Sequence, residues 1–108
     1  MQLSQAEVTQ QNKQKYLISG TVDFSTVPDL MQRVKGFFKE YKQSAPEKIT
    51  IDLSQITVCN SAGLALMLEI AKDAHKNNIE CHFENLPEAL LTIAKAYGVE
   101  SEIRDICQ

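Results

Sequence analysis

From residue 15 onward, short strand patterns alternate with longer helical patterns along the sequence. The strand patterns cover residues 15–19, 48–53 and 79–83, and a helical pattern follows each of them. A further strand pattern at residues 6–11 precedes the first of these, and Asn12-Lys13 between the two predicts a hairpin turn. Strands joined through helices pair in parallel through right-handed crossovers. The chain is therefore predicted to have an α/β fold, in which a small mixed sheet with a parallel centre and an opening β-hairpin packs against helices.

Local signals mark the ends of the first and third helices. Thr26 is a suitable N-cap for the first helix, and Ser44-Ala45-Pro46 ends it. Asn85, followed by Glu88 three residues later, has the pattern of a capping box for the third helix, which Gly98 ends. The residues expected to face the core are Leu30, Val34, Phe37 and Tyr41 on the first helix and Leu90, Ile93, Ala94 and Tyr97 on the third.

The second helix has a broad apolar face and an unusually bare opposite face. Residues 56–59 lead into it as a short extended segment, after a strand that ends at Ser54-Gln55. The apolar arc expected in the core consists of Leu64, Leu66, Met67, Leu68, Ile70, Ala71 and Ala74. Over its first two turns, the opposite face carries only small residues, where long charged side chains are usual. These are Ser61, Ala62 and Ala65, before Glu69.

Gly63 adds to this pattern at the start of the second helix. A glycine inside a helix costs about 1 kcal/mol relative to alanine. Gly63 therefore indicates a close backbone approach, either by a neighbouring part of the chain or by another molecule. Asn60 or Ser61 can cap the free N–H groups of the helix start. Two interpretations stay open: the small residues only cap the helix, or they cap it and also form an exposed docking surface.

Sequence motifs for catalysis and metal binding are missing from the chain. The nucleophile elbow of hydrolases, G-x-S-x-G, needs a glycine where Cys59 stands. A general base must come within about 3 Å of the Ser61 hydroxyl, but His75 lies about 21 Å further along the same helix. His82 lies on a strand that begins at the far end of the sheet. With no phosphate-binding loop and no Cys/His cluster of metal-ligand spacing, the chain is predicted to be a non-enzymatic binding module without cofactor or metal.

Length and composition restrict the class of partner. The 108 residues are predicted to form a single domain, residues 1–108, with a net charge of −3. The 11 Lys and Arg residues are scattered along the sequence, which argues against a nucleic-acid partner. The longest apolar run, Leu64–Leu68, is far shorter than the roughly 20 residues of a spanning helix. Cys59, Cys81 and Cys107 form no C-x-x-C motif and are expected to be reduced and buried, as in a cytoplasmic protein.

The segment IDLSQITVCNSAGLALML resembles a STAS domain, the family that includes the bacterial anti-sigma-factor antagonists. The family pattern is a strand ending in D-L-S, followed by D-S-[ST]-G-L at the head of a helix. Asp52-Leu53-Ser54 matches the first part, and Ser61 and Gly63-Leu64 match the second, with Asn60 where aspartate is usual. The upstream SGTVDFSTVPDL, which contains Asp23, also resembles the family's glycine, aspartate and capped first helix. The resemblance implies a STAS fold.

One position departs from the sigma-regulating members of the family. Their phosphorylated serine directly precedes the glycine, and Ala62 stands there in this chain. Ser61 is the remaining hydroxyl at the helix head, but as an expected cap its hydroxyl would already be engaged. This departure argues against a phosphorylation switch of the usual kind.

The run Gly63-Leu64-Ala65-Leu66, with LLTIAKAYGVES further on, is more similar to the STAS subunits (MlaB-like) of the Mla phospholipid-transport ABC systems of Gram-negative bacteria. That resemblance implies a cytoplasmic, non-catalytic subunit docked on the ABC ATPase, and through it on the membrane permease, in a system that maintains outer-membrane lipid asymmetry. The expected partner-binding residues are Asn60, Ser61, Ala62, Gly63, Ala65, Glu69 and Asp23. The alternatives are an anti-sigma-factor antagonist that binds an anti-sigma kinase, with Ser61 as the phosphorylation site, and a STAS module that serves another partner or binds a small ligand.

Overall fold

A computed structural model of the chain describes residues 6–41 and 46–106. These residues form β1 (Glu7–Asn12), β2 (Lys15–Val22), α1 (Val27–Tyr41), β3 (Lys48–Cys59), α2 (Ser61–Lys76), β4 (Glu80–Glu84), α3 (Glu88–Ala96) and α4 (Glu100–Ile106). The sheet has the order β1-β2-β3-β4, with β1 antiparallel to β2 and the other neighbours parallel. The predicted α/β fold, with its opening hairpin and parallel centre, is confirmed. Ser44, Ala45 and Cys107, on which other predictions fall, lie outside the described residues.

The hydrophobic core lies between one face of the sheet and the helices. Burial alternates along the central strands, so that Ile18 and Ile51 are completely buried while their chain neighbours are half-buried. This period of two is expected for strands that pack on one face. Within the helical layer, α1 packs against α2, α2 against α3, and α3 against α4. The arrangement places α2 in the middle of the layer.

Thr26 directly precedes α1, as its predicted role of N-cap requires, but its hydroxyl does not bond to the N–H groups of the helix and donates to the Thr21 carbonyl oxygen instead (2.9 Å). The Asp23 carboxylate accepts hydrogen bonds from the N–H groups of Ser25 (2.9 Å) and Thr26 (3.1 Å). In return, the Thr26 hydroxyl accepts from the N–H of Asp23 (3.0 Å). This reciprocal pair satisfies two donors at once, as a capping box does, with Asp23 as the residue that caps. Along α1, Phe38 is buried in place of the predicted Phe37, which is half-buried.

The start of α3 also differs from its prediction, whereas its end agrees. Asn85 does not cap the helix, because its amide donates to the Asp52 carboxylate (3.0 Å), and the cap position is Pro87, without a side-chain hydrogen bond. Tyr97 is 64% exposed and follows the last helical residue, so the prediction that it faces the core is wrong. Gly98 ends the helix as predicted, with φ 74° and the paired backbone hydrogen bonds of a Schellman motif.

Two further elements, β3 and α4, differ from the sequence prediction. The strand expected to end at Ser54-Gln55 continues through them, and β3 runs unbroken to Cys59. Its register with β2 shifts twice, and each shift adds one residue on β3, as in a β-bulge. Helix α4 was not predicted at all. Its Ile103 is completely buried and belongs to the core.

Candidate partner-binding site

The head of α2 lies at the edge of the sheet where β2 and β3 end. Val22 and Cys59, the last residues of these strands, are register partners. The Asn60 N–H donates to the Val22 carbonyl oxygen (3.3 Å) and joins the helix head to the segment between β2 and α1. That segment contains Asp23. Two of the predicted partner-binding residues, Asp23 and Asn60, therefore lie at the same edge of the sheet.

Of the two candidate caps for α2, the structure selects Asn60. Its side-chain oxygen accepts from the N–H of Ala62 (2.8 Å) and satisfies one of the free donors of the first turn. Ser61 is the first helical residue and is half-buried. Within the described part of the chain, no hydrogen bond engages its hydroxyl. The expectation that capping occupies this hydroxyl is wrong, and the group is free to meet a partner.

Ala62 and Gly63, the next two residues, face the interior. Ala62 is 2% exposed and Gly63 is buried. A Cβ atom on Gly63 would come within 3.1 Å of Leu90 Cδ2 on α3. The close approach that the glycine indicated is therefore made by this chain's own core. Neither residue presents its side-chain position to another molecule in this conformation, so their predicted role in partner binding can only be indirect.

The accessible side of α2 carries four residues over its first turns, which we name the α2 head surface: Ser61, Ala65, Leu68 and Glu69. Their spacing of three and four places them on one helix face. The first two are small, so a partner's backbone can come close to the helix there. Ser61, Ala65 and Glu69 were predicted to bind a partner, and this role stays a prediction.

Leu68 was predicted to lie in the core, but it is 38% exposed. It lies at the margin of the apolar arc, about 40° around the helix from Leu64 and toward Ser61. This angle was the sequence signal for its exposure, because a residue at the margin of so wide an apolar arc can face either the core or the solvent. On the accessible face, Leu68 makes the α2 head surface partly apolar.

Two more exposed apolar side chains lie at the same edge of the sheet and were missed in the sequence. Phe24, two residues after the end of β2, is 70% exposed, and Val58, next to the end of β3, is 59% exposed. Large apolar groups that stay accessible together often mark interaction sites. A lone aromatic residue in the turn after Asp23 was the signal for Phe24. No sequence signal indicated that Val58 is exposed, because residues 56–59 were interpreted only as a connection to α2.

The electrostatics of this edge are set by Asp23. A hydrogen bond from the Ser25 hydroxyl (2.7 Å), assisted by the N–H groups of Ser25 and Thr26, holds the pKa of the Asp23 carboxyl below its usual range. The carboxylate is therefore ionised near neutral pH. It keeps the turn before α1 ordered next to the α2 head surface.

This pKa shift predicts a pH dependence of stability. Because the folded pKa of Asp23 is depressed, its contribution is complete above the unfolded pKa of about 4 and is lost as the pH falls through the folded pKa. In the variant Asp23→Asn, we expect the melting temperature to fall less between about pH 7 and about pH 3 than it does in the wild type. Asp52, Glu80 and Glu100, whose pKa values are also lowered, supply the dependence that remains. Identical pH profiles of the two proteins would contradict this account.

Other reactive side chains do not converge on the α2 head surface. His75 is exposed in the last turn of α2, at the other end of the helix. His82 Nε2 contacts the Glu80 carboxylate on β4, and burial raises the pKa of the Cys59 thiol, which disfavours the reactive thiolate. Cys59 and Cys81 are half-buried, less enclosed than predicted. Within residues 6–41 and 46–106, no group of three or more His, Cys, Asp or Glu side chains is arranged to hold a metal ion.

The fold and the sequence pattern at the α2 head agree with one protein family. The sequence model of the STAS domain family matches residues 5–108 of this chain. The chain belongs to the STAS domain family. STAS domains are in general non-catalytic modules of interaction and regulation. Among the described residues of this STAS domain, no helix is both long enough and apolar enough to span a membrane.

Solved structures share this fold at low sequence identity. The unphosphorylated anti-sigma factor antagonist SpoIIAA superposes with a TM-score of 0.68 at 12% identity, over 95% of this chain and 85% of that chain. An anti-sigma factor antagonist from Mycobacterium paratuberculosis gives 0.68 at 19% identity, over 93% and 82%. A sulfate transporter family protein from Wolinella succinogenes gives 0.65 at 15% identity, over 87% and 74%. Sequence identities this low show a shared fold and nothing beyond it.

Proposed function

We propose that this STAS domain is a non-catalytic accessory subunit that binds the cytoplasmic ATPase of an ABC transporter for phospholipids, in a system that maintains outer-membrane lipid asymmetry. In this proposal the ATPase holds the chain at the inner membrane next to the permease. The observation that carries the proposal is the α2 head surface, which before Glu69 carries only Ser61, Ala65 and Leu68, where a solvated helix would carry long charged side chains.

One feature supports this partner over others, and two more support a protein interface at this surface. The run Gly63-Leu64-Ala65-Leu66 is similar to that of STAS subunits in Mla transporters, and it contains Ala65 of the α2 head surface. Leu68, Phe24 and Val58 supply apolar area of the kind found at the centre of protein interfaces. The Asn60 hydrogen bond to Val22 fixes the helix head relative to the sheet edge, so the surface is preorganised before a partner arrives.

Co-expression with the lipid-transport ATPase of the same genome tests this proposal. We expect the two chains to co-elute as a complex through affinity capture and size exclusion. An ATPase that is folded and active but elutes separately from the folded STAS domain would contradict the proposal. Turnover of the ATPase with and without the bound domain would then measure whether the domain activates it or only stabilises it.

A second candidate function is that of an anti-sigma-factor antagonist, which the free Ser61 hydroxyl specifically favours. An unengaged hydroxyl at the start of a helix can accept a phosphate, and the N-terminal end of a helix stabilises added negative charge. The fold similarity to anti-sigma factor antagonists is compatible with this function.

Incubation with an anti-sigma kinase and ATP distinguishes the two candidates. Under the first proposal, intact mass spectrometry should show no phosphate on the chain. Under the second, a phosphate should appear, and it should be absent from the matched variant Ser61→Ala. Phosphate incorporation that persists in Ser61→Ala would place the modification elsewhere and would remove the support that Ser61 gives to this function.

A further inference from the structure

A cleft between α1 and α2 gathers basic side chains that the proposed function does not use. The cleft has a volume of about 330 Å³ and is lined by Lys35, Phe38, Lys39, Asp73, Lys76 and Asn77. An adjoining recess adds Lys72 and Glu69. We name this feature the lysine cleft after Lys35, Lys39, Lys72 and Lys76. The four lysines lie toward the C-terminal ends of α1 and α2, whereas the ATPase is proposed to bind the N-terminal end of α2, and Glu69 lies at the border of the two surfaces.

The concentration of positive charge in the lysine cleft is unusual for this chain. The protein has a net charge of −3, yet four of its 11 basic residues line this cleft and its recess. Within the described residues, none of the four lysines forms an ion pair within 4.0 Å. Among the lining residues that the structure describes, the carboxylates are Asp73 and Glu69. An excess of unpaired positive charge therefore faces the cleft.

Favourable interactions with helix ends explain only half of this arrangement. Cations stabilise the C-terminal turn of a helix, and Lys39 and Lys76 occupy such turns in α1 and α2. Lys35 and Lys72 lie one turn earlier. Each therefore forms an i,i+4 pair of like charge with the lysine that follows, and such pairs destabilise a helix. In α2 the opposite charges of Glu69 and Asp73, three residues before Lys72 and Lys76, offset this repulsion, whereas the described part of α1 has no such offset. A bound anion would offset the repulsion between Lys35 and Lys39, and Lys72 and Lys76 approach the same cleft from the opposite side.

We propose that the lysine cleft binds a phosphate-bearing ligand. Lysine ammonium groups act as point charges toward phosphate oxygens, and the volume is within the range of small-ligand sites. Phe38 gives the cleft an aromatic floor, and Asp73 and Glu69 can accept hydrogen bonds from ligand hydroxyl or amino groups. The phosphate can belong to a small dissolved compound or to the headgroup of an anionic phospholipid.

Titration of the full chain with pyrophosphate and with ATP, both without magnesium, tests the dissolved source. Flotation with phosphatidylglycerol vesicles, compared with vesicles of phosphatidylcholine alone, tests the lipid source. We expect saturable binding to one of the two sources, weakened by added salt because the contacts are electrostatic. The double variant Lys35→Gln/Lys76→Gln should weaken that binding by about tenfold or more. Its melting temperature should not fall, because both side chains are exposed and each substitution removes a like-charge i,i+4 pair.

The matched control is Lys13→Gln/Lys48→Gln, which changes the net charge equally at exposed positions outside the cleft. It should keep the wild-type affinity. Binding of the dissolved phosphates alone assigns the first source, and binding of phosphatidylglycerol vesicles alone assigns the second. Absence of binding to both, or an equal loss in the control variant, overturns the proposal. Because the ATPase is proposed to bind the other end of α2, the cleft variant should still co-elute with it, so the two proposals fail independently.

Discussion

The variant Ala65→Arg is expected to abolish the complex with the ABC ATPase while the domain stays folded. Ala65 is exposed at the centre of the α2 head surface, between Ser61 and Leu68. An arginine there would hold a partner away from the helix and would leave an unpaired charge in the interface. Such a charge costs about 3 kcal/mol or more, equivalent to a loss of affinity of about 100-fold. The loss is measurable by co-elution and by titration calorimetry.

A matched control separates this effect from general effects of added charge. Ala96→Arg makes the same substitution at an exposed helical position in the last turn of α3. Both variants should melt near the wild-type temperature, because arginine is a good helix former. Ala96→Arg should bind the ATPase normally. If Ala65→Arg also binds normally, the α2 head surface is not the interface.

The second large effect is expected from Gly63→Val, which should lower the free energy of unfolding by about 2–3 kcal/mol. Even a Cβ on Gly63 would lie 3.1 Å from Leu90 Cδ2 and 3.6 Å from Val22 Cγ1 and Cys59 Cβ. The two methyl groups of valine extend further into this packed region. Leu90 cannot move aside easily, because only 1% of it is exposed. Urea unfolding followed by circular dichroism measures the change, and the melting temperature should fall by about 10 °C or more.

Gly36→Val is the control for the helix propensity of the two residues. Gly36 lies inside α1, and a Cβ there would meet nothing within 4 Å. The backbone effect of replacing glycine with valine in a helix is shared by both variants, so their difference isolates the packing at Gly63. Equal stabilities of the two variants would show that Gly63 is not needed for the core. A Gly63→Val protein that keeps its stability but loses the ATPase would indicate a direct contact with the partner instead.

The fold was predictable because strands and helices alternate with clear periods. Elements with strong periodicity, such as α2, were found with their correct type and approximate position. At two places, local sequence signals predicted the end of a strand or the start of a helix, but contacts between residues distant in sequence give a different structure. The sheet carries β3 past Ser54-Gln55 through its pairing with β2, and Asn85 bonds to Asp52 across the sheet edge instead of capping α3. Neither contact is visible in the local sequence.

The candidate site was predicted in its location but not in its details. The small residues at the α2 head predicted a site at the first turns of this helix, a role that stays a prediction, and only three-dimensional packing shows that Gly63 makes room for Leu90 of this chain. The exposure of Leu68 depends on how α2 is rotated on the sheet, and the sequence leaves that rotation undetermined within a broad apolar arc. The lysine cleft escaped prediction because Lys35 and Lys72 are distant in sequence and meet only after α1 packs against α2.

The burial of Ala62 affects how a chain of this kind could come to be regulated by phosphorylation. A single nucleotide change can convert alanine to serine and would place a hydroxyl directly before Gly63, the position at which the resemblance to sigma-regulating STAS proteins implies phosphorylation. In this protein that hydroxyl would be sealed inside the domain, since Ala62 is 2% exposed. A kinase could reach it only after the first turn of α2 had opened. Regulation by phosphorylation at this position would therefore require a first turn of α2 that opens more easily, in addition to the new serine. More than one substitution would be needed.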